Sequence, residues 1–359
     1  MNLKERFANA VLGKETDRLP HSDIMIHDKL IAAITHEELP GDDGNALAKW
    51  MFEPISDANF QRHVKARKFL ELGHVVVFPI ETTTDAGVSE HGNPLIKDVW
   101  GGIQECTPAS TVIIKDPINS VEELESYEFP DIEDFDYHNV DVWVKEGSFY
   151  VVPQIDFGYF KASELLGFER YMNFVVTEEE RMHRFLKRLL EFQIKLADKL
   201  ISHGVDAIEL GDDVAFNNGP FMSPEFLQMY DFDYMGQIVD HIHSKGLPVI
   251  LHSCGNMNAV IERIIDTKVD VLHALQPSAH NDIYEYKEKY GDKIVLMGNV
   301  DINYLMTEGS PVEIGATVDE MAEKLWYDKK GFILSTCNML NMDQPVENVL
   351  SLHMRAQKY

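Results

Sequence analysis

Eight short apolar runs separated by longer amphipathic stretches constrain the fold of this chain more than any other feature. Nearly continuous apolar runs are typical of parallel strands that are covered on both faces. In the stretch 177–203, which lies between two of these runs, Phe185, Leu189 and Phe192 recur at helical spacing. The predicted strands are Ser22–Ile26, Val75–Pro79, Tyr150–Ile155, Asp206–Leu210, Pro248–His252, Asp270–Ala274, Ile294–Gly298 and Phe332–Thr336.

This alternation of strands and helices predicts an α/β chain folded as a (β/α)8 TIM barrel, a single domain over residues 1–359. The segment 87–117 is rich in turn residues and is predicted to be a hairpin-rich insertion after the second strand. A doubly wound sheet is the alternative fold. It is disfavoured because no GxGxxG or GxxxxGKS/T stretch supports nucleotide binding.

The charge balance excludes several classes of partner. With 60 acidic and 32 basic residues the chain carries a net charge of −28, which argues against nucleic acid and anionic membranes. No stretch approaches the roughly 18 apolar residues of a membrane span. The start of the chain, MNLKERFANAVLGKE, lacks the apolar centre of a signal peptide. We therefore expect a cytoplasmic protein whose 3 cysteines stay reduced.

The barrel prediction sorts the polar residues by position, because catalytic groups of such folds lie at the carboxyl ends of the strands. The polar and thiol residues predicted at those ends are Glu81, Asp156, Asp212, Asp213, His252, Cys254, Gln276, Asn299, Asp301 and Cys337.

Three of these residues have the chemistry of a zinc site. His252 and Cys254 end one predicted strand, in PVILHSCGN, and Cys337 ends the last, in FILSTCN. One imidazole and two thiolates hold zinc and leave a position open for chemistry. The competing interpretation is that each cysteine is a small buried hydrophobe. Because parallel strands end at one mouth, the separation along the chain is no obstacle to a shared site.

Several segments carry a family resemblance that spans essentially the whole chain. They are KERFANAVLGKETDRLP, LGDDVAFNNGPFMSPEFLQMY, VILHSCGN, MGNVD, and STCN followed by QPVENV. Together they resemble the uroporphyrinogen decarboxylase superfamily and, within it, the zinc-dependent corrinoid methyltransferase branch. The resemblance implies zinc ligands at His252, Cys254 and Cys337. It places the family's glutamate at Glu81 in FPIETTTDAG, with Asp85 as the alternative. It also implies a corrinoid (cobalamin) carried by a partner protein, and a possible homodimer.

The loop composition favours one direction of methyl transfer. The loops DDVAFNNGPFMSP, SCGNMN, QPSAHND and CNMLNMDQP contain no lysine or arginine and are rich in Phe, Met and Asn. This composition suits an apolar substrate. We therefore predict a methyltransferase that moves a methyl group from an O-methyl donor, such as an aromatic methyl ether, to the cob(I)amide of a corrinoid protein.

Two alternatives stay open. A methylcorrinoid:thiol methyltransferase of the coenzyme M type would use the same zinc ligands, but its sulfonated thiol calls for a nearby cation. A decarboxylase would need arginines for substrate carboxylates. The corresponding region, MIHDKLIAAITHEELPGDD, has none.

Each remaining candidate has a predicted role. Glu81 is either a fourth zinc ligand or the acid that protonates the departing oxygen. Asp212 and Asp213 steer substrate, hydrogen-bond a zinc ligand or cap a helix. His273 is interpreted as a core histidine. The predicted substrate-binding residues are Asp156, Phe216, Asn217, Gln276 and Asn299.

Overall fold

The computed structural model describes residues 1–38, 50–107 and 111–359. Its strands are short, and those of the main sheet are buried on both faces, as their apolar sequences predict. In chain order they are β1 (His74–Val77), β2 (Ile80–Glu81), β3 (Thr84–Val88), β4 (Pro94–Lys97), β5 (Ile103–Cys106), β6 (Thr111–Lys115), β7 (Phe135–Asp136), β8 (Tyr150–Asp156), β9 (Ile208–Gly211), β10 (Ala215–Phe216), β11 (Gly219–Pro220), β12 (Val249–Ser253), β13 (Val271–Ala274), β14 (Val295–Val300) and β15 (Phe332–Thr336).

Helices separate the strands of the main sheet. The predicted helix 177–203 is observed as Glu179–Ser202, with Phe185, Leu189 and Phe192 on its buried face. The α-helices span Leu3–Val11, Asp28–Thr35, Asp57–Leu70, Val121–Ser126, His138–Glu146, Gly158–Leu166, Phe168–Thr177, Glu179–Ser202, Pro224–Leu227, Asp233–Ser244, Ile261–Asp266, Ile283–Tyr290, Pro311–Leu325 and Val346–Ala356.

Seven of the eight predicted strands pair into one curled parallel sheet. Its order is β1-β8-β9-β12-β13-β14-β15, and every neighbouring pair runs parallel. The carboxyl ends of all seven strands therefore lie along the same edge. This architecture confirms the predicted α/β class and the positions of the seven later strands.

The predicted first strand, Ser22–Ile26, does not form, and a complete eight-stranded barrel is not present among the described strands. Residues 20–26 lie between β15 and β1 but make only isolated bridges, His21 with Leu334 and Ile26 with Leu340. The backbone hydrogen bonding between residues 20–26 and β15 is interrupted because the Asp23 carboxylate accepts the backbone N–H of Thr336 at 2.9 Å. A backbone carbonyl would accept that N–H in a continuous strand.

A helix closes the amino end of the curled sheet. Phe7, Ala10 and Val11 of the helix Leu3–Val11 pack against inward-facing residues such as Tyr150 and Ile333. The ring of Phe7 approaches so closely that a Cβ on Gly73 would lie 2.7 Å from it. The interior at this end is thus filled by side chains, which leaves the carboxyl end of the strands for a site.

The predicted insertion is an antiparallel sheet of four strands, β3-β4-β5-β6. It begins at Thr84, slightly before the predicted boundary of 87–117, and its described part excludes residues 108–110. The turn between β4 and β5 carries Trp100, which is buried against the main fold. Of the helices that the structure describes, none is long and apolar enough to cross a membrane.

Candidate metal and substrate site

His252, Cys254 and Asp213 form a compact group of metal-binding side chains at the carboxyl ends of β9 and β12. One ligand atom from each residue lies within 4.8 Å of the other two. Sheet register sets the positions, because His252 of β12 pairs with Gly211 of β9, two residues before Asp213. The Asp213 carboxylate accepts the backbone N–H of Cys254 at 2.7 Å, which joins the two loops.

The spacing of the nitrogen and sulfur atoms fits zinc. His252 Nε2 lies 3.5 Å from Cys254 Sγ. A tetrahedral ion with Zn–N near 2.0–2.1 Å and Zn–S near 2.3 Å would hold these atoms about 3.5 Å apart. Burial raises the pKa of the Cys254 thiol above its usual range and that of Cys337 to about 11. Both thiols therefore stay protonated until a cation displaces the proton.

A glycine allows the cysteine loop to reach its position. Gly255 has φ +89°, and a Cβ there would lie 2.3 Å from the carbonyl oxygen of Ala215. The following residue, Asn256, donates its backbone N–H to the carbonyl of Phe216 at 2.9 Å. The SCGN sequence thus holds Cys254 against the β10–β11 hairpin because only glycine fits that contact.

Cys337 and Glu81 are not in the compact group. Cys337 is 2% exposed at the end of β15, where its backbone N–H donates to the carbonyl of Val300 at 2.9 Å. The neighbouring Asn338 contacts the site and donates its amide N–H to Cys254 Sγ at 3.2 Å. Glu81 is buried and accepts the Trp100 indole N–H at 2.8 Å. The zinc-ligand roles of Cys337 and Glu81 stay predictions, and Asp213 occupies the third donor position here.

A second histidine supports the first. His252 Nδ1 lies 2.7 Å from His273 Nδ1, and His273 Nε2 lies 3.0 Å from the carbonyl oxygen of Thr336. Burial lowers the pKa of His252 to about 4 and that of His273 to about 3, so both rings are neutral near pH 7. Sequence reasoning missed this contact, although the parallel register of β12 and β13, which pairs His252 with His273, would have predicted it.

The compact group borders a cavity of about 330 Å³. Among the described residues, its walls carry six carboxyl groups and one lysine beside apolar side chains. Four of these carboxyls, those of Glu81, Asp156, Asp212 and Asp213, were predicted at strand ends, whereas the lysine was not. The lining residues are Ile24, Met25, Met51, Phe78, Glu81, Asp98, Trp100, Gln104, Thr111, Ile113, Pro117, Gln154, Asp156, Phe160, Lys161, Glu164, Leu165, Gly211, Asp212, Asp213, His252 and Asn338.

Lys161 is the lysine that the described part of the chain contributes to this cavity, and its charge is already compensated. Its ammonium nitrogen lies 3.1 Å from a Glu164 carboxylate oxygen and 3.9 Å from one of Asp156. The Glu164, Glu81 and Asp156 carboxylates raise the pKa of Lys161 above its usual range, and burial raises that of Glu164 to about 7. The signal for Lys161 was a lone lysine among apolar residues in DFGYFKASELL, directly after β8.

Asp212 has a structural partner that sequence reasoning missed. It accepts the backbone N–H of Phe160 at 2.9 Å, while Asp231 faces it and accepts that of Tyr159 at 3.3 Å. Each of the two carboxyls also has a buried oxygen with no other partner. A Cβ on Gly158 would lie 1.9 Å from Asp231. Burial raises the pKa of both carboxyls, and repulsion from Asp231 adds to the rise at Asp212. The pair therefore retains a proton and caps the helix Gly158–Leu166.

An open groove of about 610 Å³ lies on the other side of Cys254. It is lined by three predicted substrate-binding residues, Phe216, Asn217 and Gln276. Phe216 is 57% exposed, and the Gln276 side chain accepts the backbone N–H of Gly255 at 3.3 Å. Asn299 lines neither space and instead donates its amide N–H to the carbonyl of Leu275 at 2.9 Å.

Comparison with solved structures shows the fold. A "methyltransferase from Methanosarcina mazei" matches with a TM-score of 0.75 and 18% identity, covering 100% of this chain and 99% of that chain. At this identity the likeness establishes the shared architecture alone.

Comparison with curated sequences points to one family. A uroporphyrinogen decarboxylase from Legionella pneumophila is 26% identical over 186 residues, which cover 51% of this chain and 49% of that protein. The chain thus spans about half the length of this curated relative. A uroporphyrinogen decarboxylase from Coxiella burnetii is 21% identical over 282 residues, 74% of each protein. The family model "Uroporphyrinogen decarboxylase (URO-D)" matches residues 159–359, more than half of the chain. The chain therefore belongs to the uroporphyrinogen decarboxylase family.

Proposed function

We propose that this protein is a zinc-dependent methyltransferase, which moves a methyl group from an uncharged O-methyl donor to the cob(I)amide of a corrinoid protein. One observation carries the proposal. The group of Asp213, His252 and Cys254 lies between a cavity sized for a small molecule and a more open groove. A transfer reaction needs this arrangement, because donor and acceptor must reach the same centre from different sides. The Methanosarcina mazei protein that shares this fold is a methyltransferase, which supports the proposal.

In this proposal His252 and Cys254 hold the ion with a third donor, Cys337 or Asp213. A bound zinc ion would supply a Lewis acid that polarises the oxygen of the departing group. Burial raises the pKa of Glu81, so its carboxyl is suited to hold a proton for that oxygen. Asp156 faces the same cavity and is suited to accept a hydrogen bond from a donor hydroxyl.

The charges of the cavity determine which donors enter. Of the described residues, six carboxyls and one lysine line it, and that lysine is paired with Glu164. A carboxylate or sulfonate on the substrate would meet net negative charge and lack a partner. Trp100, Phe160 and Phe78 offer aromatic surface to a ring. An uncharged aromatic methyl ether with a free hydroxyl fits this lining.

The same charges argue against the two alternatives. No arginine lines the cavity among the residues that the structure describes, so none of those residues makes bidentate bonds to the carboxylates of a porphyrinogen. The sulfonated thiol of a coenzyme M-type reaction would need a cation, and Lys161 already has its carboxylate partners.

An assay with reduced cobalamin tests the proposal. The full chain, loaded with zinc, is incubated with cob(I)alamin and either 2-methoxyphenol or 4-methoxybenzoate, and methylcobalamin formation is followed by its absorbance. We expect turnover with the phenol, much less with the benzoate and none in Cys254→Ala. Activity only with methylcobalamin plus a thiol would instead establish the methylcorrinoid:thiol methyltransferase. Release of carbon dioxide from a porphyrinogen would establish the decarboxylase.

A further inference from the structure

We infer that His273 is a positioning residue that fixes the tautomer of His252 and thereby presents the Nε2 lone pair of His252 toward Cys254. The inference rests on the proposed metal site, since that lone pair matters only if a cation binds there. It begins with the distance of 2.7 Å between the two Nδ1 atoms. Two nitrogens this close share one hydrogen, so one ring donates and the other accepts.

The far side of His273 decides which ring donates. Its Nε2 lies 3.0 Å from the carbonyl oxygen of Thr336, which only accepts hydrogen bonds. The Ser335 hydroxyl oxygen lies 3.4 Å from the same nitrogen and donates its own hydrogen to the Thr336 carbonyl at 3.1 Å, so it too can only accept there. His273 therefore carries its proton on Nε2. A neutral imidazole has one N–H, so Nδ1 of His273 accepts the hydrogen from Nδ1 of His252. The proton of His252 is then fixed on Nδ1, and its Nε2 carries the lone pair.

The lone pair on His252 Nε2 lies on the side of the ring that faces Cys254. His252 Nε2 lies 3.5 Å from Cys254 Sγ, the spacing that suits two ligands of one zinc ion. The opposite tautomer would put an N–H in that direction and block coordination. Hydrogen bonds from the other nitrogen of a ligating histidine serve this purpose in many metal sites.

The Thr336 carbonyl, which accepts the hydrogen bond from His273, is itself held in place. The backbone N–H and the hydroxyl of Thr336 donate to one Asp23 carboxylate oxygen at 2.9 and 2.7 Å. The other oxygen of Asp23 lies 2.7 Å from Nε2 of His353. All three of these residues are buried. The orientation of the Thr336 carbonyl is thus set by contacts inside the fold, independently of any bound ion.

The tautomer is measurable without metal or substrate. The full chain with ¹⁵N-labelled histidine is stripped of metal with a chelator, and the ring nitrogens of His252 are examined by NMR. We expect a protonated Nδ1 and an unprotonated Nε2 in the wild type. In His273→Phe the two tautomers should mix, and the affinity for added Zn²⁺ should fall about 10- to 100-fold. His273→Asn places an amide oxygen near the former Nδ1 and should restore both readouts.

His63→Phe is the matched control, because His63 is also buried and hydrogen-bonded, to Asp28 at 2.7 Å, but does not contact His252. It should lower thermal stability without changing the tautomer of His252. A wild-type His252 protonated on Nε2, or an unchanged tautomer in His273→Phe, would overturn the inference. A wild type that shows the expected tautomer but binds no Zn²⁺ would refute the proposed metal site instead.

Discussion

The ammonium nitrogen of Lys161 lies 4.0 Å from the centroid of the Trp100 ring, so the helix Gly158–Leu166 and the β3–β6 insertion meet inside the cavity through a cation–π contact. The same indole donates its N–H to Glu81, which places a lysine, a tryptophan and a glutamate in one connected group. The insertion thus supplies a wall of the candidate substrate site, and Lys161 balances part of the negative charge of that site.

Removing the positive charge of Lys161 should destabilise the fold. Lys161→Met leaves Glu164, Asp156 and Glu81 facing one another without a cation. Loss of one partner of a buried ion pair costs about 3–5 kcal/mol of unfolding free energy. Urea unfolding at pH 7 measures the loss, which should shrink as the pH falls and the carboxyls gain protons. Lys161→Arg keeps the charge and serves as the control; equal stability of the wild type and Lys161→Met would contradict the prediction.

Metal analysis should identify the third ligand. We expect the wild type to bind one zinc per chain and Cys254→Ala to bind little, as measured by mass spectrometry after anaerobic purification. Cys337→Ala and Asp213→Asn then separate the two candidates for the third position. If Cys337 is the ligand, only its variant loses zinc; if Asp213 takes that place, Cys337→Ala keeps it. Zinc absent from the wild type would refute the site.

A buried carboxyl makes stability depend on pH. Glu209 is fully buried with no hydrogen-bond partner for either oxygen, and burial raises its pKa from 4.5 to about 8. The folded state therefore binds this proton more tightly than the unfolded state does. The resulting stability is full below pH 4.5 and is lost as the pH rises through 8.

Glu209→Gln removes this titration while keeping the size of the side chain. Relative to the wild type, the variant should gain unfolding free energy on the order of 4 kcal/mol between about pH 5 and about pH 9, at 1.36 kcal/mol per pKa unit. Denaturant unfolding across this range measures the difference. Parallel stability curves for the two proteins would show that Glu209 does not titrate as expected.

The groove beside Cys254 is a candidate docking surface for the corrinoid protein. Phe216→Ala removes an exposed ring, so the free energy of unfolding should change little. If the corrinoid protein docks here, the rate with that protein should fall about tenfold, while the rate with free cob(I)alamin stays the same. Tyr327→Ala is the control, because Tyr327 is 70% exposed and precedes β15, at the opposite end of the sheet. Equal losses in the two variants would refute the docking site.

Local patterns predicted much of the fold and part of the site. Seven strands follow from runs of apolar residues, because burial on both faces imposes a local sequence pattern. The pair His252 and Cys254 follows from its place at the end of such a run, and the insertion follows from its turn residues. The prediction of the first strand was wrong because an interaction remote in sequence, from Asp23 to Thr336, replaces a backbone hydrogen bond.

The amino-acid sequence by itself determined which edge of the sheet carries the chemistry, since parallel strands bring their carboxyl ends together wherever they occur in the chain. Only the tertiary structure decided which side chains meet there. Asp213 lies beside His252 and Cys254, Lys161 lies against Trp100, and His273 contacts His252. These pairings depend on strand register and side-chain direction, which are set by packing across the whole sheet and leave no periodic signal along the chain.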